Sequence, residues 1–257
     1  MRCKSTRLFN ITLMTLGVAG MEVARTATIR GHEVTLYEAS DKLGGNVIPS
    51  GAHSFKQPMQ KLIQWYEQEL KDLNVPVKLN SKATADMLKK SNADAVVLAV
   101  GSVPVMPRIT GIDKAVSSID ALLGKSKIGQ KVVVVGGGLV GCEMALEYAM
   151  EGKIVTVVEA IDSILSAGAP VPIMNKMALE DLLDHYKVDI RTGSRIEEIN
   201  DNESVITVDG DRTTISADTV VIAIGFKSVS SRAQDLFGCG ADIYEIGDGR
   251  KVGTVMS

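Results

Sequence analysis

Cysteine is scarce: Cys3, Cys142 and Cys239 lie far apart in 257 residues. That spacing excludes a Cys-x-x-Cys redox pair and a thiolate metal cluster. An odd, scattered set fits a reducing compartment better than a disulfide-stapled one. The histidines are as few: His32, His53 and His185 are separated, lack ligand spacing and read as surface or turn residues. No metal site is expected. Lysine and arginine form no cluster and the net charge is −3, which argues against a nucleic-acid surface. No apolar run approaches the ~18 residues of a membrane helix, so no membrane span is expected. Met1–Arg7 is basic and Leu8–Gly20 is apolar, the outline of a signal peptide. However, Asn10, Thr12 and Thr15 interrupt that run, and the same residues are needed as a first strand and turn. The expected location is cytoplasmic.

What the chain does have is a β-branched run, Val132–Val135, leading into Gly136-Gly137-Gly138-Leu139-Val140-Gly141. A second strand pattern follows, Val155-Thr156-Val157-Val158-Glu159. In a Gly-x-Gly-x-x-Gly turn the first glycine makes the bend. The second admits a pyrophosphate to the backbone, and the third lets helix and strand pack closely. The helix N-terminus offers free N–H groups and the positive end of its dipole. Glu159 lies 23 residues beyond Gly136, placed to accept from both ribose hydroxyls of an adenosine. A carboxylate there repels a 2′-phosphate, so NADH is expected over NADPH.

The unit occurs twice. Thr15-Leu16-Gly17-Val18-Ala19-Gly20 leads to Glu33–Glu38, and Thr15 precedes Glu38 by the same 23 residues. Thr15 and Gly136 are 121 residues apart, as are Glu38 and Glu159. Ala93–Gly101 is echoed by Ala217–Gly225 at an offset of 124. Near-constant offsets mark two related nucleotide-binding domains rather than a short-period repeat. A length of 257 residues, against a nominal ~150 per domain, agrees. The expected fold is α/β, with two Rossmann-like domains built on parallel sheets.

Strands are expected over Leu8–Leu16, Glu33–Glu38, Val75–Leu79 and Ala95–Gly101, with helices over Ala19–Arg30 and Phe55–Leu73. Met59, Leu62, Ile63, Tyr66 and Leu70 mark one buried helix face. Asp41–Asn46 reads as a glycine loop, and Pro104, Pro107 and Gly111 mark a crossing between domains. The second block reads as strand Lys131–Val135, helix Leu139–Met150, strand Ile154–Glu159, helix Ile173–Tyr186 and a strand near Val188–Arg191. A hairpin is expected around Asp209-Gly210, and a late strand runs from Ile243 into Gly247-Asp248.

Gly20–Arg25, Arg30–Glu38 and Leu43-Gly44-Gly45 carry a specific likeness. From about Leu8 onward the chain resembles the pyridine-nucleotide/flavin oxidoreductases with two dinucleotide-binding domains. Within them it is most similar to the C-terminal half of 2,4-dienoyl-CoA reductase, 2-enoate reductase and related NADH:flavin oxidoreductases, which are old yellow enzyme-like. The resemblance implies a split FAD domain, residues 1–108 and 226–257, with an NADH domain, residues 109–225, inserted into it. It implies FAD contacts from Gly17, Ala19, Gly20, Glu38, Gly45, Asn46, Lys56, Ala83, Gly101, Gly247 and Asp248. Asn46 stands where the usual pattern has Gln, and Asp248 corresponds to the acid that holds the ribityl chain. Gly136, Gly138, Gly141, Glu143, Glu159 and Gly225 fall on the NADH side.

The implied chemistry is hydride transfer from NADH to FAD, with the cofactors supplying the reactivity. No catalytic side chain is therefore expected, and the lack of a Ser/His/Asp triad is consistent with that. In the resembling enzymes electrons pass through an iron–sulfur cluster to FMN, which reduces an activated C=C bond. This chain lacks the cluster's cysteines, so an FMN/iron–sulfur domain or subunit is the expected partner. A second reading stays open: an inert nucleotide-binding module holding ADP or NADH, or a gene fragment. It is motivated by Thr15 in the first glycine position, where a β-branched residue resists positive φ and adds bulk near the pyrophosphate. The chain end nine residues after Asp248 also motivates it. Plainer readings accompany several residues: Glu38 as a solvated strand end, Gly247-Asp248 as an ordinary turn, Lys56 as a surface lysine. Cys142 is expected to pack as a small apolar residue, the methionines to fill cores, and Glu180, Asp181 and Asp184 to form a solvated face.

Overall fold

The computed structural model describes residues 8–15, 17–82, 84–208, 211–229 and 242–253. The chain opens with β1 (Asn10–Thr15), α1 (Val18–Ile29), β2 (Glu33–Glu38), α2 (Val47–Ser50) and α3 (Gln57–Asp72). Next come β3 (Val77–Lys78), α4 (Ala85–Lys90), β4 (Ala95–Ala99), β5 (Ser102–Pro104), β6 (Val116–Ser117) and α5 (Ser118–Leu122). Then follow β7 (Lys131–Val135), α6 (Leu139–Met150), β8 (Ile154–Val158), α7 (Ile173–His185) and β9 (Asp189–Arg191). The rest is β10 (Ser194–Ile199), β11 (Glu203–Val208), β12 (Asp211–Ser216), β13 (Thr219–Ile222), β14 (Phe226–Ser228) and β15 (Asp242–Glu245).

Two compact units result. Met1–Gly51, Lys56–Val103 and Lys227–Ser257 make the first, and Ala52–Phe55 with Pro104–Phe226 make the second, inserted into it in sequence. The first sheet has the order β15-β4-β1-β2-β3 and the second β6-β13-β7-β8-β9. All the ladders described in both are parallel. The orders superimpose strand for strand, with one difference of origin: the fifth strand of unit 1 comes late in the chain, that of unit 2 just before its first βα turn. This is the α/β, doubly wound arrangement the internal repeat implies.

Parallel strands are covered on both faces, which is why β4 and the Val132–Val135 run of β7 read as unbroken apolar runs rather than alternating ones. In unit 1, Leu13, Leu36 and Val97 pack with Met21, Ala24, Tyr66 and Leu70 from α1 and α3. Met14, Val96 and Leu98 turn the other way, against Leu88 of α4. In unit 2, Val132, Val134, Val155 and Val157 meet α6 and α7 through Met144, Leu146, Leu179 and Leu183. Val133, Val135, Val158 and Ile222 face Ile199, Ile206 and Ile215 of the antiparallel β10-β11-β12 meander. That meander contains the expected hairpin, β11 with β12, although its Asp209-Gly210 turn lies outside the described residues.

Two expectations need correction. Met14, Met21 and Met144 are core residues, but Met87, Met106, Met150, Met174 and Met177 are exposed. On α7 the buried contacts are made by Leu179 and Leu183, so Met174 and Met177 are left on the solvent side. His53 is in a turn as expected, yet it is buried rather than superficial and its ring stacks on Phe55 at 5.0 Å.

A side chain added at Gly20 would collide with the Thr15 Oγ1 and Cβ atoms, with the next atom, Ala99 Cβ, at 3.3 Å. Gly20→Ala is expected to destabilise unit 1 by ~1–3 kcal/mol through overpacking. Adding Thr15→Gly should recover most of that loss, and thermal unfolding of the two single variants and the double variant measures the coupling.

Candidate nucleotide sites at the strand ends

In unit 2 the turn between β7 and α6 is shaped by the backbone itself. Gly136 sits at φ +109°, and a Cβ there would stand 2.5 Å from the Ala223 carbonyl oxygen. A Cβ on Gly141 would strike the Gly136 carbonyl oxygen, so the first turn of α6 can approach β7 only without one. Gly138 is different, because a Cβ there would meet nothing within 4 Å. Protein packing thus accounts for the first and third glycines, while the second faces open space at the helix N-terminus. There the backbone N–H groups of the first turn lack intrahelical partners and the dipole is positive, the environment of a phosphate.

In unit 1 the equivalent turn is closed by a side chain. Thr15 ends β1 in register with Glu38 and Ala99, and it is not among the residues at positive φ. The strain expected of a β-branched residue at this position is therefore absent. Its hydroxyl accepts from Gly17 N at 3.1 Å and lies 3.0 Å from Gly17 O, filling the space that Gly20 leaves. Gly17 keeps an extended backbone at the N-cap of α1, and a Cβ added there would stand 3.6 Å from Gly44 O.

Both acids are buried beside their turns, Glu38 at 0% exposure and Glu159 at 8%. Glu159 accepts from Gly137 N at 2.6 Å through Oε2 and from Ile161 N at 3.0 Å through Oε1. Glu38 accepts from Ser40 N and Oγ, both at 2.8 Å, through Oε1 alone. Its Oε2 is buried with no partner. Burial raises the Glu38 pKa, opposed by the bonds from Ser40 and from the backbone of Ala39. A solvated strand end is excluded for Glu38. A buried carboxylate oxygen without a donor is costly, and a ribose hydroxyl has the chemistry to satisfy it.

The remaining candidates of unit 1 converge on the same strand ends. A Cβ on Gly247 would stand 2.8 Å from Ala19 Cβ, so the Gly247–Gly249 turn lies against the start of α1. A Cβ on Gly249 would stand 3.5 Å from Gly101 N. Asn46 Nδ2 donates to Ser102 O and Oγ, both at 3.1 Å, and Ser102 Oγ donates to Asp248 Oδ2 at 2.9 Å. Ala19, Asn46, Gly101, Gly247 and Asp248, drawn from four stretches of sequence, are thereby brought together. Gly45, at φ +52°, precedes Asn46 in the same loop. Lys56 stands at the N-cap of α3, and Ala83 lies outside the described residues.

In unit 2, Glu143 is buried on α6, and Gly225, at φ +99°, follows β13 and accepts from Val105 N. Cys142 is fully buried and its Sγ donates to Gly137 O at 3.3 Å. Desolvation, then the nearby carboxylates of Glu159, Glu143 and Glu180, push its pKa up to about 12, so it packs as a small apolar group. An open cleft of about 680 Å³ lined by Pro107, Arg108, Ile109, Thr110, Ile112 and Glu197 contains none of the candidate residues. Among the described residues, no group of three or more His, Cys, Asp or Glu is arranged to hold a metal. No helix among them is long and apolar enough to cross a membrane. The sequence reading missed Ser40, Ser102 and Gly137. Only Ser102 carried a signal, as the polar residue next to a repeated strand-end glycine.

Two doubly wound sheets, each with a βα turn and a buried acid at its strand ends, define a two-dinucleotide-fold protein. Residues 16–240 match the family described as pyridine nucleotide-disulphide oxidoreductase, and the chain belongs to that family. Membership implies binding of FAD and of a nicotinamide dinucleotide. Cinnamate reductase from Clostridium sporogenes is 41% identical over 253 residues, which cover 98% of this chain and 38% of that protein. NADH oxidase from Thermoanaerobacter brockii is 36% identical over 93% of this chain and 38% of its own length. A 2-naphthoyl-CoA reductase in complex with 2-naphthoyl-CoA superposes with a TM-score of 0.90 at 34% identity, over 99% of this chain and 39% of that one. The chain therefore spans roughly two fifths of these relatives.

Two outcomes follow from the site. Because the folded state raises the Glu38 pKa, its contribution to stability is full below the ordinary value of 4.5 and is lost as the pH rises through the raised one. In the ligand-free protein Glu38→Gln should flatten that part of the stability profile, read from unfolding midpoints across the pH range. A thiol reagent should leave Cys142 unmodified in the native protein and label it on denaturation, as peptide mass spectrometry would show.

Proposed function

We propose that the chain is the NADH-oxidising module of an FAD-dependent reductase, with FAD held by residues 1–108 and 226–257 and NADH by residues 109–225. The observation that carries this reading is the orphaned, fully buried Glu38 Oε2 beside the α1 turn, matched 121 residues later by Glu159 beside the α6 turn. When bound, the two cofactors supply the hydride chemistry, and the protein's part is binding, orientation and exclusion of water. Glu38 takes the adenosine ribose of FAD, and the N-terminus of α1 at Gly17, Ala19 and Gly20 faces its pyrophosphate. Asp248, held by Ser102 and by Gly253 N, presents its carboxyl group to the polyol chain. Gly101, Gly45, Asn46 and Gly247 shape the same cradle, and the family likeness adds Lys56 and Ala83 as further FAD contacts.

In the second unit Gly136, Gly138 and Gly141 open the phosphate site of NADH, with Glu143 in α6 and Gly225 at the end of β13 completing it. Glu159 sets the choice between the two nicotinamide cofactors. Its carboxylate is buried and anchored by two backbone N–H groups, so it cannot swing away from a 2′-phosphate. The following Ala160–Ser166 contains no Lys or Arg to neutralise one. NADH is favoured for that reason.

Relatives named as cinnamate reductase and 2-naphthoyl-CoA reductase extend well beyond the matched region. That length supports a role in which electrons leave this module for an FMN/iron–sulfur region that reduces an enoate- or dienoyl-type C=C bond. The proposed setting is the cytoplasm.

The test is an absorption spectrum of the protein incubated with FAD and desalted, before and after anaerobic NADH. Retained flavin colour that bleaches is the expected result. A colourless protein that still binds NADH would leave only an inert nucleotide-binding module. NADH should bleach the flavin at concentrations at least tenfold below NADPH, and Glu159→Ala should narrow that gap. Glu38→Ala should weaken FAD binding about tenfold, the scale of a hydrogen bond to a charged group, in a fluorescence titration.

A further inference from the structure

We infer that Ser102 is a positioning residue of the flavin site: its hydroxyl joins the glycine loop after β2 to the acid after β15 and orients Asp248. This deepens the assignment of unit 1 to FAD and rests on it. Ser102 itself is not one of the residues expected to touch the cofactor.

Ser102 is 6% exposed, so loss of a hydroxyl bond leaves a buried polar group unpaired. It accepts from Asn46 Nδ2 at 3.1 Å and donates its single proton to Asp248 Oδ2 at 2.9 Å. The polarity of this chain is set at its Asn46 end: the amide nitrogen can only donate, so the serine hydroxyl accepts there and its own proton points at Asp248 Oδ2. Gly253 N holds the other oxygen, Oδ1, at 3.0 Å. With one oxygen tied to β5 and the other to the chain beyond the 247–249 turn, the carboxylate plane is held from both sides. Each oxygen keeps a lone pair for a hydroxyl donor of the ligand.

The same residue steadies the glycine loop separately. Asn46 Nδ2 also donates to the Ser102 backbone oxygen, a bond that survives loss of the side chain. Ser102→Ala therefore removes the tie to Asp248 while leaving one tie to Asn46, so the two roles separate. Geometry excludes an equivalent in unit 2, because Phe226 follows the matching Gly225.

The experiment is a double-mutant cycle on FAD dissociation constants, using wild type, Ser102→Ala, Asp248→Asn and the double variant, with unfolding midpoints measured alongside. Ser102→Ala should weaken FAD about tenfold. It should add little in the Asp248→Asn background. Ser102→Thr, which keeps a hydroxyl, should restore binding. If Ser102→Ala does not fold, Ser102→Cys takes its place, since a thiol of similar size is a much weaker donor. Unchanged FAD affinity in Ser102→Ala, or losses that add fully with Asp248→Asn, would overturn the inference while the FAD assignment stands. A wild-type chain that takes up no FAD would instead overturn the assignment, and this inference with it.

Discussion

Everything at the two candidate sites depends on a close approach: the first turn of a helix lies against the end of the central strand through a helix residue that carries no Cβ. Gly141 permits this against the Gly136 carbonyl, and Gly20 permits it against the Thr15 side chain. That contact fixes where each helix N-terminus points, and so where an anion is favoured. Glu38 is then placed by its ladder register opposite Thr15, and Glu159, one residue past the β7–β8 ladder, by the N–H groups of Gly137 and Ile161. Moving either helix outward by a methyl group would change the turn, the phosphate position and the acid's distance to a ribose together.

The two copies solve the same packing problem with different atoms. In unit 2 the turn bends at a positive-φ glycine and lends the Gly137 N–H to its acid. In unit 1 the strand runs straight to Thr15, whose hydroxyl satisfies the turn from inside, and Glu38 is left with an unmatched oxygen. One acid is thus satisfied by its own protein, whereas the other keeps a buried oxygen without a donor.

Much of this was legible in the sequence, and the reasons can be named. Parallel strands buried on both faces leave unbroken runs such as Val132–Val135, and a βα unit imposes its own spacing, so the repeat and its 121-residue offset followed. The fate of Thr15 was not legible, because its effect depends on whether the strand continues through it, which is a question of ladder register. The Asn46–Ser102–Asp248 chain was invisible for a different reason. Its members are 56 and 146 residues apart, and no local periodicity links them. The exposed methionines of α7 show a third limit: apolar spacing locates a helix but does not say which side its neighbours cover.

The late strand β15 has a consequence for synthesis. The sheet of unit 2 is drawn wholly from residues 116–222, so all its strands have emerged before the sheet of unit 1 can be completed. Unit 1 must hold β1 to β4 with one flank of β4 unpaired until β15 is made, an open edge on a nascent chain. The intervening unit need not lengthen that wait, because β5 and β14, at its two chain crossings, pair with each other. Once formed, that pairing shortens the effective loop between β4 and β15, and with it the entropic cost of closure. Translation order thus delivers every strand of the second sheet before the first sheet can close.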